Sequence, residues 1–315
     1  MYKKIESVLI AGAGAIGMMV AGKIFDSGKF DMTILAEGER SQRYKEKGLS
    51  INGQKYNFKL SSDSKHCTFD LIIVACKFYS LKNVIDDIAD FVGRHTIIVS
   101  LLNGITSENI IGAEYGIERL PLAMIAGNDS QHKETNVTYT QIGKIHFGDI
   151  NGSITERDAL LKDFWRECDF PFEYHKTDML QTLWYKLMMN VGINQSQALF
   201  LLPYSAFSNN SEMAIPEAIT IMKKAMREVI EIARAENIIL NESDIENCCQ
   251  TISQLCGTCY TSMCQDLLAG KKTEIELFAD TVCEYGRKHN IKTPLNEMLS
   301  LAIRVQEKKN LLGFN

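Results

Sequence analysis

Apolar and polar positions follow two regimes along this chain. Up to about residue 175, short apolar runs alternate with stretches of helical period; beyond it the period stays near 3.6. In the first regime Ser7–Ala11 predicts a strand and Ala15–Ser27 a helix closed by Gly28. Met32–Ala36 predicts a second strand, and Glu39–Lys47 a short helix that stops at Gly48. Asp70–Cys76 (DLIIVAC) and Thr96–Leu102 (TIIVSLL) are continuous apolar runs, the mark of strands covered on both faces, with Leu81–Phe91 helical between them. Strand, helix and strand at this spacing predict βαβ units and a parallel sheet. Pro121–Gly127 and Asn136–Gly148 alternate β-branched and aromatic residues and predict added antiparallel strands. Thr155–Cys168 predicts a helix, and Phe170–Phe172 a short strand near the domain edge.

After His175 five helical stretches follow: Asp178–Leu201, Ser211–Asn237, Asp244–Ala269, Glu274–Asn290 and Pro294–Lys308. Gly270 and Pro294 act as stops, and no internal repeat is found. The expectation is an α/β domain over 1–175 followed by an all-helical domain over 176–315. A cleft between two such domains is a common ligand site.

Gly12-Ala13-Gly14-Ala15-Ile16-Gly17 fits G-x-G-x-x-G, directly after the first strand and opening the first helix. The first glycine allows a tight turn, the second a close approach of backbone to a pyrophosphate, and the third close helix–strand packing. In that context the motif predicts a Rossmann-type dinucleotide-binding domain, with phosphates at the helix N-terminus. Glu37 lies 20 residues past Gly17, at the end of the second strand. An acid there bonds a ribose 2′-hydroxyl and favours NAD; Arg40 and Arg43, just beyond, are equally read as readers of a 2′-phosphate or as a solvated face.

In the second regime Lys186, Asn190 and Asn194 stand at i, i+4 and i+8. Such steps keep side chains near one face over about 12 Å of helix. Their neighbours Leu183, Leu187, Met188 and Val191 are apolar, so a lysine and two amides there need partners. Either they form the polar stripe of an amphipathic helix or they face a cleft as donors and acceptors. Ser262 and Glu274 bracket a turn at Ala269-Gly270, and Glu274 is read as the start of a helix.

Composition narrows the function. Of 315 residues 45% are hydrophobic and 23% charged, with a net charge of −5, so nothing suggests a nucleic-acid partner. Lys3, Lys4 and the apolar stretch to Ala21 imitate a signal peptide, but the strand–glycine–helix reading is preferred. No apolar run is long enough to span a membrane. Nine cysteines cannot pair completely, which points to reduced thiols and a cytoplasmic protein. Five of them crowd Cys248–Cys264, including the C-x-x-C of Cys256 and Cys259. No histidine lies among them and the segment reads as helical, so a metal or redox role is set aside. The six histidines are scattered without H-x-x-x-H spacing, and no metal site is expected.

The chain resembles the ketopantoate reductases (2-dehydropantoate 2-reductases), NADPH-dependent enzymes of pantothenate synthesis. The motifs are GAGAIG; Ala75-Cys76-Lys77 after a buried strand; Leu102-Asn103-Gly104; Trp184 to Asn190 with Asn194; and Thr261 to Asp266 leading to Thr273-Glu274-Ile275. The resemblance implies Lys186 as the general acid that protonates the ketone, and Glu274 as the group that orients it. It implies Asn190 and Asn194 on substrate hydroxyl and carbonyl groups, and Ser262 on the carboxylate. Lys77 and Asn103 would line the ribose–nicotinamide side, with Asn103 near the substrate as well. The cofactor implied is NADP(H), with NAD(H) kept open by Glu37 where the family usually carries arginine. Tyr204 stands where a pocket asparagine is usual, and Gln195 where a proline is usual, so the 2-oxo acid is left open. A reductase for another 2-oxo acid and a non-catalytic dinucleotide sensor are the alternatives. The reading allows a homodimer through the helical domain.

Overall fold

Two units divide the chain, Met1–Leu180 and Gln181–Asn315, in a computed structural model that describes residues 2–63, 68–149 and 156–314. The first unit starts with β1 (Ser7–Ala11), whose last four residues are wholly buried. α1 (Ala15–Ser27) leaves it and closes at Gly28, where a φ of 64° takes the left-handed region that glycine favours. β2 (Asp31–Ile34) and α2 (Gly38–Lys47) follow, then β3 (Leu49–Ile51), β4 (Gln54–Tyr56) and β5 (Lys59–Leu60). β6 (Phe69–Val74), α3 (Leu81–Asp87), β7 (Val92–Ser100) and α4 (Ser107–Tyr115) complete the α/β part.

Five of these strands make one sheet in the order β5-β2-β1-β6-β7, with every pairing parallel. Successive side chains point to opposite faces, and both faces are covered. One face sends Ile10, Ile73 and Val99 into a core with Met18, Val20 and Ile24 of α1. The other sends Leu9, Ile72 and Ile98 against Leu81 and Val84 of α3 and Ile111 of α4. That is why the central strands read as unbroken apolar runs.

α4 is absent from the sequence reading. Its buried side includes Ser107 and Glu108, which break the apolar period that would have announced it.

The unit ends with β8 (Leu122–Asn128), β9 (Gln131–Lys133), β10 (Asn136–Thr138), β11 (Ile142–Gly148), α5 (Glu156–Glu167) and β12 (Phe172–His175). β8 pairs β11 antiparallel, as expected; the stretch Asn136–Gly148 is two strands, β10 and β11, and β10 pairs antiparallel with β9, which the sequence reading did not include. β10 also takes β3, and β11 takes β12, as parallel partners, which local alternation cannot reveal. Thr155, read as the start of the helix that is α5 here, lies outside the described residues, as does Cys67.

The second unit is helical: α6 (Met179–Phe200), α7 (Pro216–Ala235), α8 (Glu242–Ser253), α9 (Ser262–Leu268), α10 (Ala279–His289) and α11 (Pro294–Leu312). The single helix expected over Asp244–Ala269 is two. Cys259 N–H bonds back to Cys256 C=O at 3.0 Å in a turn round Gly257. Thr261, extended at φ −64° and ψ 158°, then caps α9 by accepting from Cys264 N–H. α6 lies close on α7, where a Cβ on Gly192 would stand 2.3 Å from Met226 Cε. Gln195, fully buried on α6, donates to Asn296 Oδ1 of α11 at 3.0 Å, and Asn296 Nδ2 donates to Glu228 Oε2 of α7 at 2.7 Å. Among the described residues no helix is long and apolar enough to cross a membrane.

Candidate active site

Four loops leave the carboxyl edge of the parallel sheet side by side. Residues 12–17 follow β1, Glu37 follows β2, Lys77 follows β6 and Asn103 follows β7. The register sets Ala11 beside Val74, and Val74 beside Ser100, so these exits are level. Ala75 N–H donates to Ala11 C=O at 2.9 Å, and Leu101 N–H to Val74 C=O at 2.8 Å, tying them together. β2 lies on one side of β1 and β6 on the other, so strand order reverses here, the place where open α/β sheets bind ligands.

The three loop glycines answer to different constraints. Gly12 has a φ of 119°, and a Cβ there would stand 2.7 Å from the Ala75 backbone. A Cβ on Gly17 would stand 1.8 Å from Gly12 O. Gly14, at φ −86°, could take any side chain, and its Cβ would meet only Ala75 O, at 4.0 Å. The protein itself does not require glycine at 14; a ligand lying against that surface would. Gly14 is also the N-cap of α1, with no side-chain cap and no acid in the first turn. The N–H groups of Ala15, Ile16 and Gly17 therefore stay available to an anion, with Ala13 buried behind them.

Glu37 is exposed and accepts from Ser61 Oγ. It lines a cavity of about 500 Å³ with Leu35, Glu39, Arg40, Arg43 and Asp87. Acid and guanidinium thus share one hollow at the end of β2. Lys77 and Asn103 are both half-buried. The Asn103 loop is stiffened from below by a buried polar chain that the sequence reading missed. Ser100 Oγ and Ser107 Oγ are 2.8 Å apart, and Ser107 Oγ donates to Glu108 Oε2 at 2.9 Å.

In the helical unit Asn190 and Asn194 are buried at 7% and 6% exposure, and Lys186 is half-buried. Leu183, Leu187, Met188 and Val191 around them are buried, so the polar line crosses an apolar helix. Burial pushes the phenol of neighbouring Tyr185 up, and a hydrogen bond with Cys248 adds to the shift. Gln197, one turn on, accepts from Thr261 N–H at 2.6 Å through Oε1 and from Cys264 Sγ at 3.4 Å through its carbonyl. This brings α9, with Ser262 exposed at its first position, against the end of α6.

Glu274 is buried at 6% exposure. It precedes a single 3-10 turn, Ile275–Leu277, rather than the long helix expected, so a helix dipole contributes little there. Its position is set by Thr273, whose N–H and Oγ1 both donate to Glu307 Oε1 of α11, at 2.7 and 2.6 Å. α11 also holds α9, through Asn310 Nδ2 donating to Leu267 C=O at 2.7 Å. Tyr204 begins a 3-10 turn after α6, and burial pushes its phenol to about 12.

The cysteines divide sharply. Burial raises Cys168 to about 12 and Cys248 and Cys264 to about 11, so these thiols stay protonated and inert. Cys256 and Cys259 are exposed at the turn between α8 and α9. Hydrogen bonds from Cys259 and Thr258 hold the Cys256 thiol below its ordinary range.

Residues 8–152 match the family model described as ketopantoate reductase PanE/ApbA, and residues 178–307 match the model of its C-terminal part. The 2-dehydropantoate 2-reductase of Pyrococcus horikoshii is 29% identical over 309 residues, which span 95% of this chain and 97% of that protein. Among solved structures, D-mandelate dehydrogenase with NADH and anilino(oxo)acetate has a TM-score of 0.83 at 22% identity, covering 97% of this chain and 99% of that one. A PanE/ApbA family ketopantoate reductase from Ralstonia eutropha has a TM-score of 0.82 at 22% identity, with the same coverage. Both structures share the fold.

Proposed function

This chain belongs to the ketopantoate reductase family, and from that premise we propose that it reduces the ketone of 2-dehydropantoate to pantoate with a reduced nicotinamide dinucleotide. The observation that carries the reading is the line Lys186, Asn190, Asn194 on an otherwise apolar, buried helix face. A bound nicotinamide supplies the hydride. The chain's own residues do the rest. The glycine loop and the N-terminus of α1 take the pyrophosphate; the loop fits it, since Gly14 leaves the space that a side chain would fill. Lys77 and Asn103 border the nicotinamide end.

Hydride arrival leaves negative charge growing on the ketone oxygen. In this reading the Lys186 ammonium stabilises that charge and passes a proton to the oxygen. Glu274 holds the ammonium's direction and the substrate hydroxyl. Asn190 and Asn194 fix the hydroxyl and carbonyl groups, and Ser262, exposed at the start of α9, takes the carboxylate. The test is a spectrophotometric screen of NADPH and NADH oxidation with a panel of 2-oxo acids. Turnover of 2-dehydropantoate well above the other acids supports the reading; turnover of another acid moves the substrate, and no turnover with any acid removes the catalysis. Tyr204, standing where a pocket asparagine is usual, favours a different 2-oxo acid as the second reading.

For the nucleotide, NADP(H) is the first choice, since Arg40 and Arg43 line the same hollow as Glu37 and the Glu37 carboxylate is engaged by Ser61. NAD(H) is the second, because Glu37 opens that hollow with an acid. Arg40→Ala/Arg43→Ala is expected to raise KM for NADPH roughly tenfold or more while leaving KM for NADH near wild type, because only the 2′-phosphate loses charge-assisted bonds. Steady-state kinetics with both nucleotides checks this. Equal effects on the two would show that the arginines do not read the phosphate.

A further inference from the structure

Away from the residues above, parallel pairing of β11 with β12 draws a second set of side chains together. His146 stands opposite Glu173, and Gly148 opposite His175. His146, Glu173 and His175 therefore share one face, with Lys144, while Ile145, Phe147, Phe172 and Tyr174 point into the core on the other. His146 Nδ1 and His175 Nε2 are 2.9 Å apart, and Glu173 Oε1 is 3.9 Å from His175 Nε2. One donor atom from each of the three lies within 4.8 Å of the others. His175 is only 11% exposed, and its Nδ1 is 3.3 Å from Asp178 Oδ1. Lys144 Nζ holds the outer oxygen of Glu173, Oε2, at 3.0 Å, which leaves Oε1 on the histidine side.

We propose that His146 Nδ1, His175 Nε2 and Glu173 Oε1 form a site for a divalent ion of the zinc class, with a fourth position open to water. The donor set decides the class: two imidazoles and one carboxylate suit zinc and its neighbours, whereas magnesium and calcium take oxygen. Zinc needs about 2.0–2.2 Å to each donor. Two nitrogens 2.9 Å apart reach that arrangement by opening a few tenths of an ångström, with the carboxylate swinging inward. The surroundings match as well. With Nδ1–H donated to Asp178, the lone pair of His175 Nε2 points at the ion, the carboxylate–histidine–metal pattern. Glu173 and Asp178 both set a carboxylate against His175. The sequence reading expected no metal because it looked for local spacing; these histidines lie 29 residues apart and meet only through the sheet. An ion there would staple β11 to β12.

The test uses the full chain carrying Cys256→Ser/Cys259→Ser, so that the exposed thiols cannot take the metal, stripped with chelator and titrated with zinc chloride by calorimetry. One zinc per chain is expected, with a Tm that rises with zinc concentration. Adding His146→Gln or Glu173→Gln should abolish that binding, and Asp178→Asn should weaken it roughly 10–100-fold. Absence of saturable zinc binding in the Cys256→Ser/Cys259→Ser chain overturns the proposal. So does full retention of zinc in both His146→Gln and Glu173→Gln, two variants of a solvent-facing strand surface that leave the core untouched.

Discussion

Lys186→Ala is expected to lower kcat by about 10²–10⁴-fold, the usual contribution of a positioned general acid. The residue is half-buried in α6, one turn before a buried asparagine, and its sequence neighbours Leu183, Leu187 and Met188 are buried. Truncation removes the ammonium without emptying the core, so the melting temperature should stay near wild type. Cofactor affinity should hold too, since every residue assigned to the dinucleotide lies before residue 104. KM for the 2-oxo acid rises only as far as the ammonium also touches the ketone in the ground state. Glu274→Ala should be milder if the acid only orients. If lysine and glutamate act as one unit, the double variant will be no worse than Lys186→Ala alone. Steady-state kinetics with a verified substrate checks this, and a near-wild-type kcat takes Lys186 out of the mechanism.

Gly14→Val is expected to abolish measurable dinucleotide binding in a chain that still folds. The backbone at 14 suits any residue, and the nearest atom to a new Cβ is 4.0 Å away. Valine is a poorer N-cap than glycine by about 1 kcal/mol, a small loss for the fold. Its branches would occupy the surface proposed for the pyrophosphate. Gly17→Ala makes the contrast. Its methyl would sit 1.8 Å from Gly12 O, so β1 and α1 must separate. Overpacking of this kind costs about 1–3 kcal/mol or more, read as a lower Tm. Nucleotide titration and thermal melts of the two variants should show opposite patterns. Unchanged affinity in Gly14→Val would overturn the assignment of the loop.

Some of this was readable from sequence because local physics and tertiary structure agree. β1 and α1 match the expected residues from end to end, since an apolar run, three glycines and a left-handed stop all speak within the segment. Lys186, Asn190 and Asn194 were found by helical spacing alone, and burial of the two asparagines follows from their neighbours. What escaped depends on partners distant in the chain. α4 buries Ser107 and Glu108 because they bond Ser100 and each other. The break between α8 and α9 is set by a turn that Tyr204 and Ser205 bind from another element, through the carbonyls of Cys259 and Gly257. Gln195, noted only as a missing proline, is a buried strut between α6 and α11.

The grip of Glu307 on Thr273 has a practical side. The last helix carries no residue assigned to substrate or nucleotide, yet it fixes the position just before Glu274 and the end of α9. A preparation clipped within α11 would keep its glycine loop and still take up dinucleotide. Its molecules would be counted as sites in any nucleotide titration while turning over little. Specific activity per bound nucleotide, rather than per milligram, would then expose the dead fraction, and intact mass at the C-terminus would account for it.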